Sequence, residues 1–438
     1  QPDFFFKSAT IRPRKGLAAR TRSCRRLWAS ASSTDKLSDE SPETKGTLDA
    51  KTDSTNKLSD ESPEAKGGLD SNSTDIYDYL NNIGVKNPGK LLARSPGISQ
   101  LTKDLIQKKV NFLRSLGIED PARPITAFPQ LLGLRVEGNL DIKTRYLQID
   151  LNLSKAQTGD LICRYPQVLG LSLQHNIKPK ILYLESLGIR NISHVIFRFP
   201  QIFSLNVQEN INPKVKYLES LGLRNINTVI ERFPPVLSYS IQLSMVPKVS
   251  LLLQLNVTNI SRVIDTFPQI FGLSINHNLL PKVRYLHTIG IKNVGKVISS
   301  TPQVFSLNID RNLQPKIAYL RASGIKDIGK LVSTQPQILR LSLENNLIPK
   351  LEFFLGPLGL RPIDLHTCHT FFILSLEKRI KKRYYEMVGL GLIQTRPKTD
   401  QENSNRLLKL RKWLNMSDSQ FRKEVAIAKE RIKNENLD

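Results

Sequence analysis

The chain has 438 residues, of which 39% are hydrophobic and 24% charged, so it can bury a large core. Its 64 Lys and Arg against 39 Asp and Glu give a formal net charge of +25, which favours polyanionic partners over acidic substrate mimics or neutral surfaces. The three cysteines, Cys24, Cys163 and Cys368, lie far apart, which excludes a disulfide framework and a paired-cysteine zinc site. No apolar run approaches the roughly 20 residues that span a bilayer, so we predict no membrane insertion.

The first segment, residues 1–32, has the composition of an organelle transit peptide. The stretch KSATIRPRKGLAARTRSCRR is rich in Arg, Ser, Thr and Ala and contains no acid. Because the chain starts at Gln1 rather than Met, we expect the start of this leader to be missing. The Ser- and Ala-rich stretch that follows favours import into the plastid, with the mitochondrial matrix as the alternative; a disordered basic arm is the remaining interpretation.

An acidic spacer follows at residues 33–75. It contains a tandem duplication, STDKLSDESPETKGTLD and STNKLSDESPEAKGGLD, with few apolar residues. Such a segment buries too little surface to offset the entropy of ordering it, so we predict a disordered linker. Beyond it, residues 76–438 carry 51 basic and 27 acidic residues, so the predicted folded part is strongly basic.

A 34-residue period organises the rest of the chain, and periods of this size are typical of helical repeat proteins. Two proline series carry the period, and every proline of the second series precedes a lysine. The first series is Pro166, Pro200, Pro234, Pro268, Pro302 and Pro336, and the second is Pro179, Pro213, Pro247, Pro281, Pro315 and Pro349.

One period predicts two helices and a short helical turn. Asn176 is the expected N-cap of a first helix that carries Pro179 in its first turn and ends at Gly188. A second helix is expected from about Ser193 until the residue before Pro200, where PQIF begins a third short turn. No such unit buries its apolar face alone, so neighbours must stack.

We therefore predict an all-α fold, a right-handed or curved α-solenoid of about eight to nine three-helix repeats over residues 76–393, followed by a C-terminal helical tail at 394–438. The array weakens at both ends. In the last unit Lys382 and Arg383 stand at the register of Pro349 and Lys350, and His369 replaces the other proline. We expect a monomer.

The repeat resembles that of the mitochondrial transcription termination factor (mTERF) family, particularly its plant organellar members. The resemblance rests on PKVKYLESLGLRNINTVIERFP, Pro213 to Pro234, on its double-proline register, and on the terminal FFILSLEKRIKKRYYEMVGLGLI. It implies a superhelical half-ring whose concave basic face holds double-stranded DNA or structured RNA. It also implies a regulator of transcription termination or of RNA processing such as splicing, without catalysis or cofactor, whose partners are organellar DNA or RNA and other gene-expression proteins.

Periodic basic residues are the candidate phosphate contacts, with Arg offering bidentate hydrogen bonds and Lys point charges. They fall into four sets: Arg164, Arg198 and Arg232 before the prolines; Arg190, Arg224, Lys292 and Lys326 between helices; Lys180, Lys214, Lys248, Lys282, Lys316 and Lys350 after prolines; and Arg379, Lys381, Lys382 and Arg383 with Lys378, Tyr384 and Tyr385 near the end. A cation in a first helical turn is disfavoured by the helix dipole unless something external compensates it, which favours phosphate contact for the third set. For the third and fourth sets a solvated helix face is the competing interpretation.

Other functions have weaker support. His366, Cys368 and His369 are a metal candidate, but the repeat register explains His369 and no further ligand recurs. No P-loop, dinucleotide fingerprint or paired carboxylates indicate an enzyme or a bound cofactor. A protein-interaction scaffold without direct nucleic-acid binding is the alternative function, and the basic surplus argues against it.

Overall fold

The computed structural model describes residues 71–393 and 400–435 of the chain, and every regular element in these two ranges is helical. Helices alternate in regular repeated units, which confirms the predicted all-α solenoid class. The leader and nearly all of the duplicated spacer lie outside the described residues, so both stay predictions. The first described helix begins at Ser71, inside the segment predicted as spacer.

Each repeat contains a first and a second helix. The first helices are α1 Ser71–Asn82, α3 Lys103–Ser115, α5 Asp141–Ile149, α7 Lys178–Ser186, α9 Asn212–Ser220, α11 Val246–Gln254, α13 Leu280–Thr288, α15 Gln314–Ala322, α17 Ile348–Leu355 and α18 Lys382–Gly389. The second helices are α2 Pro88–Arg94, α4 Ala122–Ala127, α6 Lys155–Arg164, α8 Ile192–Arg198, α10 Ile226–Arg232, α12 Ile260–Thr266, α14 Val294–Ser300 and α16 Ile328–Thr334.

A 3₁₀ helix follows each second helix, as the PQIF pattern predicts. These helices are Pro96–Ile98, Pro129–Gly133, Pro166–Gly170, Pro200–Ser204, Pro234–Ser238, Pro268–Gly272, Pro302–Ser306 and Pro336–Arg340. In the last repeat Pro362–His366 stands in place of the second helix and is followed by His369–Ile373. His369 therefore begins a 3₁₀ helix at the position that a proline of the first series occupies in other repeats, which confirms the register predicted for it.

A π-type turn precedes most first helices and corrects the predicted N-cap. These turns are Val136–Leu140, Leu173–Ile177, Val207–Ile211, Ile241–Met245, Ile275–Leu279, Ile309–Leu313, Leu343–Leu347 and Leu376–Lys381. In the repeat analysed above, the Ser172 hydroxyl accepts from the His175 amide, so Ser172 rather than Asn176 begins the helical segment. The Asn176 side chain instead accepts a hydrogen bond from Lys180 at 2.6 Å.

The first helices end where the sequence predicts. Gly188 has φ of +76°, the left-handed conformation that a C-terminal glycine adopts without strain. Asn256 stands at the same register in another repeat and takes φ of +56°, because asparagine is among the few other residues that tolerate this region. The replacement of glycine at this position therefore preserves the turn.

The chain divides into two compact units, Gln1–Gly222 and Leu223–Asp438. In the first unit, fully buried side chains such as Ile106, Leu113 and Phe203 come from first helices and from 3₁₀ helices. In the second unit Phe271 and Phe305 hold the Phe203 register. Burying each such side chain contributes about 1.5–3 kcal/mol, so the periodic apolar residues are core.

The second unit ends in a helical hairpin of α19 Asp400–Asn415 and α20 Asp418–Glu435. Leu410 and Leu414 of the one helix and Phe421 and Val425 of the other are buried. Within the described ranges, no helix combines the length and apolar character needed to cross a bilayer.

Candidate nucleic-acid interface

The lysines of the Pro-Lys series are internal. Lys180, Lys214, Lys248, Lys282, Lys316 and Lys350 are each only 4% to 9% exposed. Five of the six ammonium groups donate to a backbone carbonyl at the end of a 3₁₀ helix: Lys180 to Phe203, Lys248 to Phe271 at 2.7 Å, Lys282 to Phe305 at 2.5 Å, Lys316 to Leu339 at 2.8 Å and Lys350 to Phe372 at 2.6 Å. These lysines satisfy carbonyls that a helix end leaves without partners.

Side chains four residues earlier add a second acceptor. The Nζ atoms of Lys282 and Lys316 lie 2.8 Å and 2.7 Å from the Oδ1 atoms of Asn278 and Asn312. Burial lowers the pKa of all six lysines, and it holds the pKa of Lys350 at about 8. The phosphate contact predicted for these six buried residues is therefore wrong in this fold: five of the ammonium groups join the first helix of a repeat to the 3₁₀ helix of the same repeat.

Their burial reduces the positive charge that a partner can reach. Residues 76–358 contain 34 Lys and Arg against 17 Asp and Glu. Eight of these basic residues are buried, namely Lys109, Lys143, Lys180, Lys214, Lys248, Lys282, Lys316 and Lys350, and no acidic residue in this range is buried. The surplus at the surface is therefore about half of the surplus in the sequence.

The same hydrogen bonds show how a repeat is arranged. Lys180 lies in the first turn of α7, and its acceptor Phe203 follows the end of α8. The start of the first helix and the end of the second are therefore at one end of the repeat, which we call the open edge. The loop between the two helices is at the other end, which we call the loop edge, about 13 Å away along a nine-residue helix.

The arginines before the prolines lie at the open edge and connect neighbouring second helices. The Arg164 guanidinium donates to the Phe197 carbonyl at 2.7 Å, lies 4.5 Å from the Phe197 ring centre and pairs with Asp160 at 3.1 Å. Arg232 donates to the Asp265 carbonyl at 2.7 Å. Both residues, and Arg198, keep exposed surface, but Arg164 and Arg232 already use part of their donor capacity.

The inter-helix residues Arg190, Arg224, Lys292 and Lys326 are exposed and lie at the loop edge. The structure separates them from the open-edge arginines, so the predicted single stripe consists of two rows at opposite ends of the helices. Sequence reasoning missed three further loop-edge residues, Arg262, Lys296 and Lys330. They keep the 34-residue period and are exposed in the first turns of second helices.

In the second unit these residues form a loop-edge cluster of Arg262, Lys292, Lys296, Lys326 and Lys330. None of the five forms an ion pair within the described residues. Asp327 is the acid among them, and its carboxylate accepts from the backbone amide of Lys330 at 2.8 Å as an N-cap. The cluster is therefore an exposed cationic surface with little internal compensation.

Glycines bring this surface together, because second helices pack closely on the repeat before them. A Cβ on Gly329 would lie 2.2 Å from the Gly290 carbonyl oxygen, and one on Gly295 would lie 2.0 Å from the Leu255 carbonyl oxygen. Lys296 and Lys330, the residues after these glycines, are thereby held beside first-helix C-termini, which favour cations.

The loop edge of the first unit differs in charge. From α3 to Gly222 its exposed basic residues are Arg114, Arg123, Lys155 and Arg190, against the exposed acids Glu119, Asp120, Asp150, Glu185 and Glu219. Opposite charges that alternate at this spacing largely cancel the field beyond a Debye length of about 8–10 Å. Between α3 and Gly222 the loop edge is therefore nearly balanced in charge, whereas in the second unit it carries the cationic loop-edge cluster.

Comparison with protein families identifies this repeat. The mTERF family model matches residues 47–286 and 110–422, which together cover most of the chain. The chain belongs to the mTERF family. Members are organellar nucleic-acid-binding repeat proteins that regulate gene expression and are generally not enzymes. Comparison with curated proteins gives no significant match.

At the end of the mTERF array the predicted basic cluster is only partly at the surface. Lys378 and Lys382 are exposed, whereas Lys381 pairs with Glu377 at 2.6 Å. Arg379 is one-third exposed and lies 3.6 Å from Asp418.

Arg383 is 3% exposed and bonds to the C-terminal hairpin, so its predicted phosphate contact is wrong. Tyr384 is also buried and donates to the Pro357 carbonyl at 2.9 Å, while Tyr385 is 56% exposed. Of the two tyrosines, only Tyr385 has a ring accessible for stacking on a base.

Among the described residues, no group of three His, Cys, Asp or Glu side chains could hold a metal ion. Cys368 is buried, and burial raises the pKa of its thiol to about 11, against an opposing effect of Arg411. A thiol that stays protonated is a poor metal ligand and a poor nucleophile.

Proposed function

We propose that this mTERF protein binds double-stranded DNA or structured RNA in an organelle and regulates transcription termination or RNA processing such as splicing. The loop-edge cluster carries this proposal, because it combines five exposed basic residues that form no ion pair with any other residue of 71–393 or 400–435. A scaffold that binds neutral or acidic-and-basic protein surfaces has no need of such a cluster. We further propose the plastid as the compartment, with the mitochondrial matrix as the alternative, and a monomer as the binding form.

The chemistry of the cluster favours the nucleic-acid backbone over the bases. Four of its five members are lysines, which bind phosphate as point charges and carry no bidentate base-reading geometry. Each neutralised phosphate of duplex DNA contributes about 0.9 to the slope of log affinity against log salt, so five contacts predict a slope of about −4 to −5. The same contacts suit the A-form geometry of structured RNA.

The test measures binding of the full chain to a duplex DNA and to an RNA stem-loop by fluorescence anisotropy over a salt series. In the variant Lys292→Gln/Lys296→Gln/Lys330→Gln we expect the slope to fall by about 2–3 for the preferred nucleic acid. The matched control is Lys103→Gln/Lys108→Gln/Lys155→Gln, which removes three exposed lysines from the first unit. It should change the slope by less than about 1.

Crosslinking and sequencing from organelle extract then identifies the natural target. Discrete DNA sites near transcript ends would support a termination role, and discrete intron or rRNA sites would support RNA processing. Failure of the wild-type chain to bind either nucleic acid above background would contradict the proposal and favour the protein-interaction scaffold.

A further inference from the structure

The C-terminal hairpin α19–α20 is not a repeat, but it occupies the position after the last one. Its two helices are joined at Met416 and Ser417 and are linked by an ion pair between Lys412 and Glu424 at 3.1 Å. The closed end of the hairpin lies against the last repeat, where Thr370 Oγ1 lies 2.9 Å from Asn415 Oδ1. This contact and those of Arg383 fix the orientation of the hairpin relative to the last repeat.

Arg383 stands at the register of the buried lysines and performs the same task with a different acceptor. Its guanidinium donates to the carbonyls of Trp413 at 2.5 Å and Met416 at 2.9 Å, at the end of α19. It also pairs with Asp418 at 2.5 Å and lies 4.6 Å from the centre of the Phe421 ring. The carbonyls at the end of α19 thus replace the 3₁₀ carbonyl of a further repeat.

This attachment brings basic side chains of two elements to one end of the molecule. Lys378 and Lys382 come from the last repeat, and Arg411 and Arg422 flank the closed end of the hairpin. All four are exposed, and within the described residues none forms an ion pair. We call them the hairpin-end cluster.

Three acids near the hairpin-end cluster are already engaged with other residues. Asp418 pairs with Arg383 and Arg379, and these arginines hold the pKa of its carboxyl below the usual value. Glu377 pairs with Lys381, and Glu424 pairs with Lys412. These three acids are therefore not available to the four cations, which form an exposed positive surface shared by the last repeat and the hairpin.

We propose that the hairpin-end cluster is a second phosphate-contacting surface, which holds the nucleic-acid backbone beyond the segment bound by the repeats. The proposal rests on the proposed function, and charge complementarity identifies the occupant. A polyphosphate backbone supplies anions at regular short spacing, which suits four cations contributed by two rigidly joined elements. The repeats then set the main binding segment, and the hairpin lengthens the footprint at one side.

The test uses the full chain with Lys382→Gln/Arg411→Gln/Arg422→Gln. The matched control is Lys429→Gln/Arg431→Gln/Lys433→Gln, which removes the same charge from exposed positions at the far end of α20. Affinity for a duplex DNA and an RNA stem-loop is measured over a salt series, and backbone protection is mapped by hydroxyl-radical footprinting. We expect the first variant to lower the salt slope by about 2–3 and to shorten the footprint at one end, while the control retains both.

Three outcomes overturn the proposal. A slope and footprint equal to those of the control, with wild-type binding intact, would refute the hairpin surface and leave the proposed function standing. Polyglutamate serves as the probe for an acidic protein partner. If the first variant lost polyglutamate binding but kept the wild-type salt slope for nucleic acid, the cluster would be assigned to an acidic protein partner. Absence of nucleic-acid binding by the wild-type chain would refute both proposals.

Discussion

Replacing Lys282 with methionine tests whether the Pro-Lys lysines stabilise the repeats from within. The change keeps most of the side-chain volume but removes the donor to the Phe305 carbonyl, which lies 2.5 Å away, and to Asn278. A buried acceptor left without a partner costs about 1–3 kcal/mol, and the released cost of desolvating the ammonium offsets part of it. We expect the free energy of unfolding to fall by about 1–2 kcal/mol.

The assay is urea unfolding followed by circular dichroism, with amide hydrogen exchange in Pro302–Ser306 as the local measurement, because repeat arrays can unfold in parts. Lys292→Met is the matched control, since Lys292 is exposed and should change stability by less than about 0.5 kcal/mol. In nucleic-acid binding the two variants should behave in the opposite way. Lys292→Met should lower the salt slope by about 1, and Lys282→Met should leave it unchanged.

One result would refute this reasoning. If Lys282→Met unfolded at the wild-type urea concentration and lost one unit of salt slope, the lysine would contact phosphate in solution. Both measurements are needed because a destabilised variant can lose affinity without any change in the number of its phosphate contacts.

Three further predictions concern other contacts. Gly329→Ala should lower the free energy of unfolding of the second unit by about 1–3 kcal/mol in urea, because its Cβ would lie 2.2 Å from the Gly290 carbonyl oxygen. Gly97→Ala is the control, because the space around Gly97 is open and its stability should not change. Between about pH 8 and 10 the folded chain loses the Lys350 proton that the unfolded chain keeps. The free energy of unfolding of wild type, relative to that of Lys350→Met, should therefore rise with pH by up to about 1.4 kcal/mol per pH unit. Equal pH dependence of stability in the two proteins would contradict a Lys350 pKa of about 8. Arg383→Met should release the hairpin, measured as faster hydrogen exchange in α19 and α20 with α13 unchanged; unchanged protection in the hairpin would rule out the anchoring role.

The regular part of the fold was predictable because local chemistry sets it. A proline closes each second helix and opens the 3₁₀ helix, and a left-handed residue such as Gly188 ends the first helix, so the 34-residue spacing gives the element order. The N-cap was not predicted correctly. Asn176 and Ser172 are both good caps, and the choice depends on Lys180, whose ammonium engages the asparagine.

The role of the Pro-Lys lysines was not predictable from residue type alone, because lysine is almost never fully buried unless it is paired. The acceptor of Lys282 is a backbone carbonyl 23 residues later, which no side-chain pattern reports. One signal was nevertheless present. Asparagine stands four residues before Lys180, Lys282 and Lys316. Because this spacing of an amide and a cation recurs from repeat to repeat, it indicates a hydrogen-bonded pair rather than two solvated groups.

Net charge alone therefore misjudges where a polyanion binds this chain. Eight of the basic residues between 76 and 358 are buried, and the loop edge between α3 and Gly222 is balanced by acids. Two groups of exposed basic residues without an ion pair among the described residues lie in the second unit, the loop-edge cluster and the hairpin-end cluster. A phosphate backbone experiences the local field within about 8–10 Å, not the total charge, so these two clusters, rather than the surplus in the sequence, distinguish a nucleic-acid-binding protein from a basic scaffold.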